Sequence, residues 1–235
     1  VSVRLYIPGA QEGHIVSLSK EQTRHLKVLR KKEGELVRVF DGQGSEFEAC
    51  IEDVSSGKIT IQSTITPQKE PSVAITLACA VPKGARADVL IEKVSELGVS
   101  RIIPLLTSRS VVRPGSSKLE RWRRITIEAC AQSERAVVPE IEKPQTFASL
   151  LNRAHEYHSA FLCHASGEPL GSAFRPTTSV LLLVGPEGDF TDAELKSAVK
   201  AGCQKVSLGP TILRVETAAI AGLAQLISES QKVYK

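Results

Sequence analysis

Two linked segments near the carboxyl end, Ser179 to Phe190 (SVLLLVGPEGDF) and Val206 to Leu226 (VSLGPTILRVETAAIAGLAQL), each run an apolar strand into a Gly-Pro turn. A strand that ends in a glycine turn and feeds a helix leaves free backbone N–H and C=O groups at its tip, where a small ligand can be held. Two such tips predict one shared pocket. The familiar nucleotide loops are absent: the stretch has neither a glycine-rich loop ending in Gly-Lys-Ser/Thr nor a Gly-x-Gly-x-x-Gly turn. Gly185-Pro186-Glu187-Gly188-Asp189-Phe190 is followed by Thr191-Asp192-Ala193-Glu194, which reads as a helix cap with acids in the first turn. Taken alone, that motif is equally well explained as ordinary strand-to-helix punctuation.

From Val73 onward, strands alternate with amphipathic helices, which argues for an α/β domain with a mostly parallel sheet covered on both faces. The strand candidates are Val73 to Val81, Ile102 to Leu106, Ala160 to Cys163, Val180 to Val184 and Lys205 to Leu208. The helix candidates are Ala85 to Leu97, Lys118 to Glu134, Phe147 to His155, Asp192 to Ala201 and Glu216 to Ser230. The first seventy residues have a different pattern. Short β-type runs (Arg4 to Ile7, Leu36 to Phe40, Glu46 to Glu52, Lys58 to Thr64) separated by glycine turns predict a small barrel, interrupted by one helix capped at Ser19. The polar stretch Thr66 to Pro71 reads as a linker.

With 42% hydrophobic and 24% charged residues the chain has the composition of a globular protein, and no apolar run approaches the roughly 20 residues of a membrane helix. Five cysteines, never closer than 29 residues apart, fit neither a disulfide framework nor paired zinc ligands. The histidines form no His-Glu-x-x-His pattern, so no metal site is expected. A cytoplasmic location follows as the default, with organellar import left open because the sequence begins at Val1 and contains no Met. Charge is informative through its distribution. Lys20 to Arg38 hold seven basic residues against three acidic, and Arg101 to Arg135 hold eight against three. Two basic clusters point to a polyanion contacting both, with a pair of solvated helix faces as the alternative. The last helix is apolar on every face around Ala218 to Ile227 save at Gln225, which predicts burial all round and a partner subunit to provide it.

Read together, the motifs resemble the RsmE family of 16S ribosomal RNA uracil-N3 methyltransferases, within the SPOUT group of S-adenosylmethionine-dependent enzymes. The likeness rests on Lys93-x-x-Glu96-Leu97-Gly98, Ile103-Pro104, Arg109-Ser110-Val111, Gln132-Ser133-x-Arg135 with Pro139, Gly185-Pro186-Glu187-Gly188, and Leu208-Gly209-Pro210 with Ile212-Leu213-Arg214-x-Glu216-Thr217-Ala218. His25-Leu26, Leu29-Arg30, Gly34 and Asp41-Gly42 resemble that family's PUA-like RNA-binding barrel. Three positions depart from the family pattern: Asp189, where glycine is usual, Thr211 and Ala131. A residue at 189 that needs φ > 0 would suit Asp better than most.

The resemblance implies a PUA-like barrel over residues 1–70 and a trefoil-knotted SPOUT domain over residues 71–235, assembled as a homodimer. It implies S-adenosyl-L-methionine as cofactor, held by three loops that supply Cys163, His164 and Ala165; Leu183, Gly185, Pro186, Glu187 and Gly188; and Leu208, Gly209, Ile212, Leu213 and Thr217. It further implies ribosomal RNA, or the small ribosomal subunit, as partner. Arg24, Lys27, Arg30, Lys31, Arg109, Arg113, Gln132 and Arg135 are the RNA-side candidates. A ribose 2′-O-methyltransferase and a non-catalytic RNA-binding assembly factor are the competing readings.

Uridine N3 carries a proton and is a poor nucleophile until that proton leaves. Arg214, always cationic, could hold a developing uracil oxyanion but could not act as base. Glu187 could offset a sulfonium charge or accept the proton. Glu216 is either a third catalytic group or a first-turn acid favoured by the helix dipole, and His164 is a further candidate proton acceptor. Alignment of donor and acceptor could by itself remove about 7 to 11 kcal/mol of barrier.

Overall fold

The computed structural model describes residues 3–66 and 70–232, so most of the expected linker (Pro67, Gln68 and Lys69) lies outside the described residues. The chain divides into two compact units, one of Val1–Glu70 with Cys130–Val138 and one of Pro71–Ala129 with Pro139–Lys235. The sequence reading assigned residues 130–138 to the second domain; in the structure they pack with the first.

The first unit is a curled five-stranded sheet in the order β1-β3-β4-β5-β2. Its strands are β1 (Arg4–Tyr6), β2 (Ile15–Ser17), β3 (Leu36–Phe40), β4 (Glu46–Asp53) and β5 (Lys58–Ile65), all antiparallel neighbours except the parallel β1–β3 pair. The strand β2 was not expected; three residues with no buried side chain give no periodic signal. Helix α1 (Lys20–Val28) starts where Ser19 predicted, with a full capping box: Gln22 N–H donates to Ser19 Oγ, and Ser19 N–H to Gln22 Oε1. Alternating positions of the sheet (Val37, Val39, Ala49, Ile51, Ile59, Ile61) pack with Leu26 of α1 in one core.

The second unit carries a parallel sheet in the order β12-β10-β11-β6-β7-β8. Its strands are β6 (Ala74–Ala80), β7 (Arg101–Leu106), β8 (Glu140–Ile141), β9 (Gln145–Thr146, beside β7), β10 (Ser159–Pro169), β11 (Ser179–Val184) and β12 (Gln204–Ser207). Helices α2 (Arg86–Leu97), α3 (Ser116–Gln132), α4 (Phe147–Leu151), α5 (Leu170–Ala173), α6 (Asp192–Lys200) and α7 (Val215–Lys232) cover it. The sheet is apolar on both faces, with separate clusters around Ile75, Leu77, Leu182 and Leu223 on one side and around Ile103, Leu105, Leu181 and Leu183 on the other.

The expected single helix from Phe147 to His155 is interrupted: α4 is capped at Asn152, and a 3-10 turn (Ala154–Glu156) follows. Strand β10 continues past Cys163 through an irregularity between Cys163 and Glu168 before rejoining β12. Within the single chain, α7 is covered on one side by its own domain. Val215, Ala219, Gly222, Leu223 and Leu226 are buried, whereas Thr217, Ala224 and Ser228 are exposed. Alanine has so little side-chain area that an exposed face of Ala, Thr and Ser carries little hydrophobic penalty. Among the described residues no helix is long and apolar enough to cross a membrane.

Candidate active site

In an open parallel sheet, ligands bind beyond the carboxyl ends of the strands. Here β10 lies between β12 and β11, and the residues leaving all three strands at that end surround one cleft of about 370 Å³. Strand β10 contributes Cys163, His164 and Ala165; β11 contributes Val184 and the turn Gly185, Pro186, Glu187 and Asp189; β12 contributes Ser207, Leu208 and Gly209. Thr211, Ile212, Leu213 and Arg214 complete the wall and lead into Val215 and Ala218 of α7. The two Gly-Pro tips therefore share a pocket, and the β10 loop joins them.

Both turns need their local residues. A Cβ on Gly185 would sit 2.8 Å from the ring of Phe190, itself 3% exposed, so the turn closes directly over that buried ring. Gly209 has φ +145, a conformation side chains rarely adopt. Asp189 occupies the left-handed region at φ 61, and its Oδ1 accepts the N–H of Phe190 at 2.8 Å, a local bond that stabilises the conformation. Its own N–H closes the turn onto the Pro186 carbonyl at 2.8 Å.

Asp189 also faces His164. The Ser166 N–H donates to His164 Nδ1 (3.1 Å), which makes Nδ1 the lone-pair nitrogen and leaves Nε2 towards Asp189 Oδ2 at 3.4 Å. Burial pushes the thiol of Cys163, in the cleft wall, up to about 12 and raises the buried Cys79 further, with Cys163, Glu216 and Glu187 adding to the rise at Cys79. Both shifts favour the neutral thiol.

The candidate catalytic groups separate. Arg214 is exposed in the cleft wall and has no ion pair or hydrogen bond from its side chain among the described residues. Its carbonyl accepts the Ala218 N–H (2.8 Å), which places it at the start of α7. Glu187 lies on the β11 lip, with its side chain 44% exposed. Glu216 does not line the cleft; its side chain is 12% exposed, and Oε2 is buried without a hydrogen-bond partner. Sequence reasoning missed Arg86, whose guanidinium lies 3.6 Å from Glu187 and 3.8 Å from Glu216. Arg86 is the first residue of α2, which has no side-chain cap bond. A cation there opposes the helix dipole by about 0.3–1 kcal/mol, so local helix formation does not account for it.

Three expected cofactor residues fall outside the cleft wall. Leu183 is fully buried in the core on the Ile103 side of the sheet, and Val184 takes the cleft position. Thr217 projects to solvent from α7, where Ala218 lines the cleft instead. Gly188 stands outside the wall, and its carbonyl accepts Nη1 of Arg109 at 2.5 Å.

That bond ties the β7–α3 loop to the 185–190 turn through Arg109, whose side chain is exposed. Glu194 strengthens the tie by accepting the Ser108 N–H (2.8 Å) and both the N–H and Oγ1 of Thr191. Burial alone would raise the Glu194 carboxyl, but these donors outweigh it and hold it below the usual range. Arg135, expected on the RNA side, is 8% exposed, and its Nη2 donates to Glu70 at 2.7 Å, inside the first unit. Arg24, Arg30, Arg113 and Gln132 are exposed. Lys27 donates to the Ser55 carbonyl, and Lys31 pairs with Glu35 at 2.8 Å. Among the described residues no group of three or more His, Cys, Asp or Glu could hold a metal ion.

Comparison with known proteins gives this geometry a context. The RNA methyltransferase domain family matches residues 68–227, and the RNA methyltransferase PUA domain family matches residues 18–62. A Synechocystis protein named ribosomal RNA small subunit methyltransferase E is 37% identical over 90% of this chain and 72% of its own length. The ribosomal RNA small subunit methyltransferase E of Neisseria gonorrhoeae, solved bound to S-adenosyl methionine, superposes with a TM-score of 0.90 at 32% identity over 97% of this chain and 98% of that one. A Legionella pneumophila methyltransferase solved with the cofactor SAM gives 0.89 at 34% identity over the same shares. On the match to more than half of its length, this chain belongs to the RNA methyltransferase family, with a SPOUT-type α/β domain and a PUA-like first unit.

Proposed function

We propose that the protein transfers a methyl group from S-adenosyl-L-methionine to N3 of a uridine in small-subunit ribosomal RNA. The observation that carries the reading is the single cleft at the ends of β10, β11 and β12, which brings both Gly-Pro turns together around an unpaired arginine. Its volume of about 370 Å³ falls in the range of small-molecule sites, roughly 300–1,000 Å³. Apolar wall residues (Val184, Leu208, Leu213) with a few charged groups at the rim (Glu187, Asp189, Arg214) suit an adenosine carrying a charged tail. The relatives solved with SAM support the same assignment.

When bound, S-adenosylmethionine supplies an electrophilic methyl group on a sulfonium. The chain supplies the rest. The Arg214 guanidinium stabilises the uracil oxyanion that grows as N3 gives up its proton, as a cationic donor free of any competing partner among the described residues. Glu187, a carboxylate on the cleft lip, offsets positive charge beside it. Residues 163–165, 185–187 and 208–213 hold the cofactor chiefly through backbone groups and shape. Arg24, Lys27, Arg30 and Lys31 engage phosphates, which position the RNA without reading its sequence. The same reading carries a homodimer, a knotted chain, a cytoplasmic location and the small ribosomal subunit as the natural partner.

Transfer of a labelled methyl group to undermethylated small subunits, followed by mapping of the modified atom, tests the proposal. Methylation at N3 blocks Watson–Crick pairing and stops reverse transcription; a methyl group on a ribose 2′-oxygen would leave pairing intact and sink the N3 assignment. Reversing the charges at Lys27, Arg30 and Lys31 is expected to weaken RNA binding and flatten its salt dependence by up to about three in slope. An unchanged salt series would remove that face from the RNA site.

A further inference from the structure

Arg86 sits between two acids, Glu187 on the cleft lip and Glu216 behind the wall at the start of α7. Its Nη2 is 3.6 Å from Glu187 Oε1, on the β11 turn, and its Nη1 is 3.8 Å from Glu216 Oε1, two residues beyond Arg214. Both separations are charge contacts longer than a hydrogen bond. Glu216 is the more demanding partner, because its Oε2 is buried and receives no hydrogen bond among the described residues. A buried carboxylate with an unfilled acceptor attracts any guanidinium within reach. Arg214 stands two residues before Glu216 in sequence, and its side chain makes no ion pair among the described residues.

We infer that Arg86 is a positioning residue for methyl transfer: by engaging Glu187 and Glu216 together, it keeps Arg214 free to face the acceptor base. The inference rests on the reading of the cleft as a methyl-transfer site. Without Arg86, two anions would face one remaining cation, and Arg214 would turn from the acceptor to neutralise them. Local structure offers no competing reason for the residue, since a cation at the start of α2 opposes the helix dipole. Features that satisfy no local rule are found most often at functional sites.

The test is steady-state transfer by Arg86→Ala, Arg86→Lys and the double variant Arg86→Ala/Glu216→Gln, with S-adenosylmethionine affinity measured by calorimetry on each. Arg86→Ala is expected to lose at least about tenfold in kcat while cofactor Kd moves by less than about threefold. Arg86→Lys, which keeps the cation, is expected to retain most of the rate. The double variant is expected to recover at least about fivefold over Arg86→Ala, because the anion that captures Arg214 has gone. Should Arg86→Ala melt below the assay temperature, Arg86→Gln takes its place in both comparisons. A kcat within about twofold of wild type, or a loss that Glu216→Gln does not relieve, would overturn the inference. If wild-type protein itself transfers no methyl group, the reading of the cleft fails first and Arg86 with it.

Discussion

Replacing Arg214 with alanine is expected to slow methyl transfer by about 10²–10³-fold, with S-adenosylmethionine affinity nearly unchanged. The size follows from its position. Arg214 is exposed in the cleft and makes no ion pair among the described residues, so its removal leaves no buried charge behind and costs the fold little. What is lost is a donor to charge that develops only as the reaction proceeds, and such a loss appears in kcat rather than in ground-state binding. Lysine at 214 should restore part of the rate, because it keeps the charge but not the two-pronged geometry. Turnover of Arg214→Ala within about tenfold of wild type, in assays saturated with both substrates, would take Arg214 out of the reaction.

Glu46→Ala is expected to destabilise the first unit by about 3–5 kcal/mol, measured as a lower urea midpoint at unchanged slope. Glu46 and Arg4 are buried together, with side chains 2% and 3% exposed and an Nε–Oε1 distance of 3.0 Å. Arg4 also donates to the carbonyls of Cys130 (2.9 Å) and Arg135 (3.3 Å) and lies over the Phe40 ring, its Cζ 4.9 Å from the centroid. Removing Glu46 leaves that guanidinium buried with only neutral acceptors. Replacing both residues at once, as Arg4→Met/Glu46→Leu, should cost less than Glu46→Ala alone, since no uncompensated charge remains. Equal losses in the two variants would show that the pair serves packing rather than charge balance.

These two residues differ in how far the sequence disclosed them. Arg214 lies inside a motif whose strand, turn and helix all read locally, and the same holds for Gly185, Gly209 and the capping boxes at Ser19 and Thr191. Asp189 was also legible, because only a few residue types tolerate φ > 0 and one of them stood there. The pairing of Arg4 with Glu46, and of Arg135 with Glu70 some 65 residues away, has no periodic signature and was visible only in three dimensions. Arg86 was missed for the same reason, since its partners come from the far end of the chain. Leu183 failed differently. Strand β11 is apolar and buried on both faces from Val180 to Val184, so alternation could not say whether Leu183 or Val184 faced the cleft.

The most direct measurement is a crystal structure of this protein grown with S-adenosylmethionine. Cofactor density is expected in the cleft bounded by residues 163–165, 185–187 and 208–214, with the Arg214 guanidinium left open to the acceptor side. Density elsewhere on the molecule, or Arg214 folded onto the Glu216 carboxylate in the loaded structure, would contradict it.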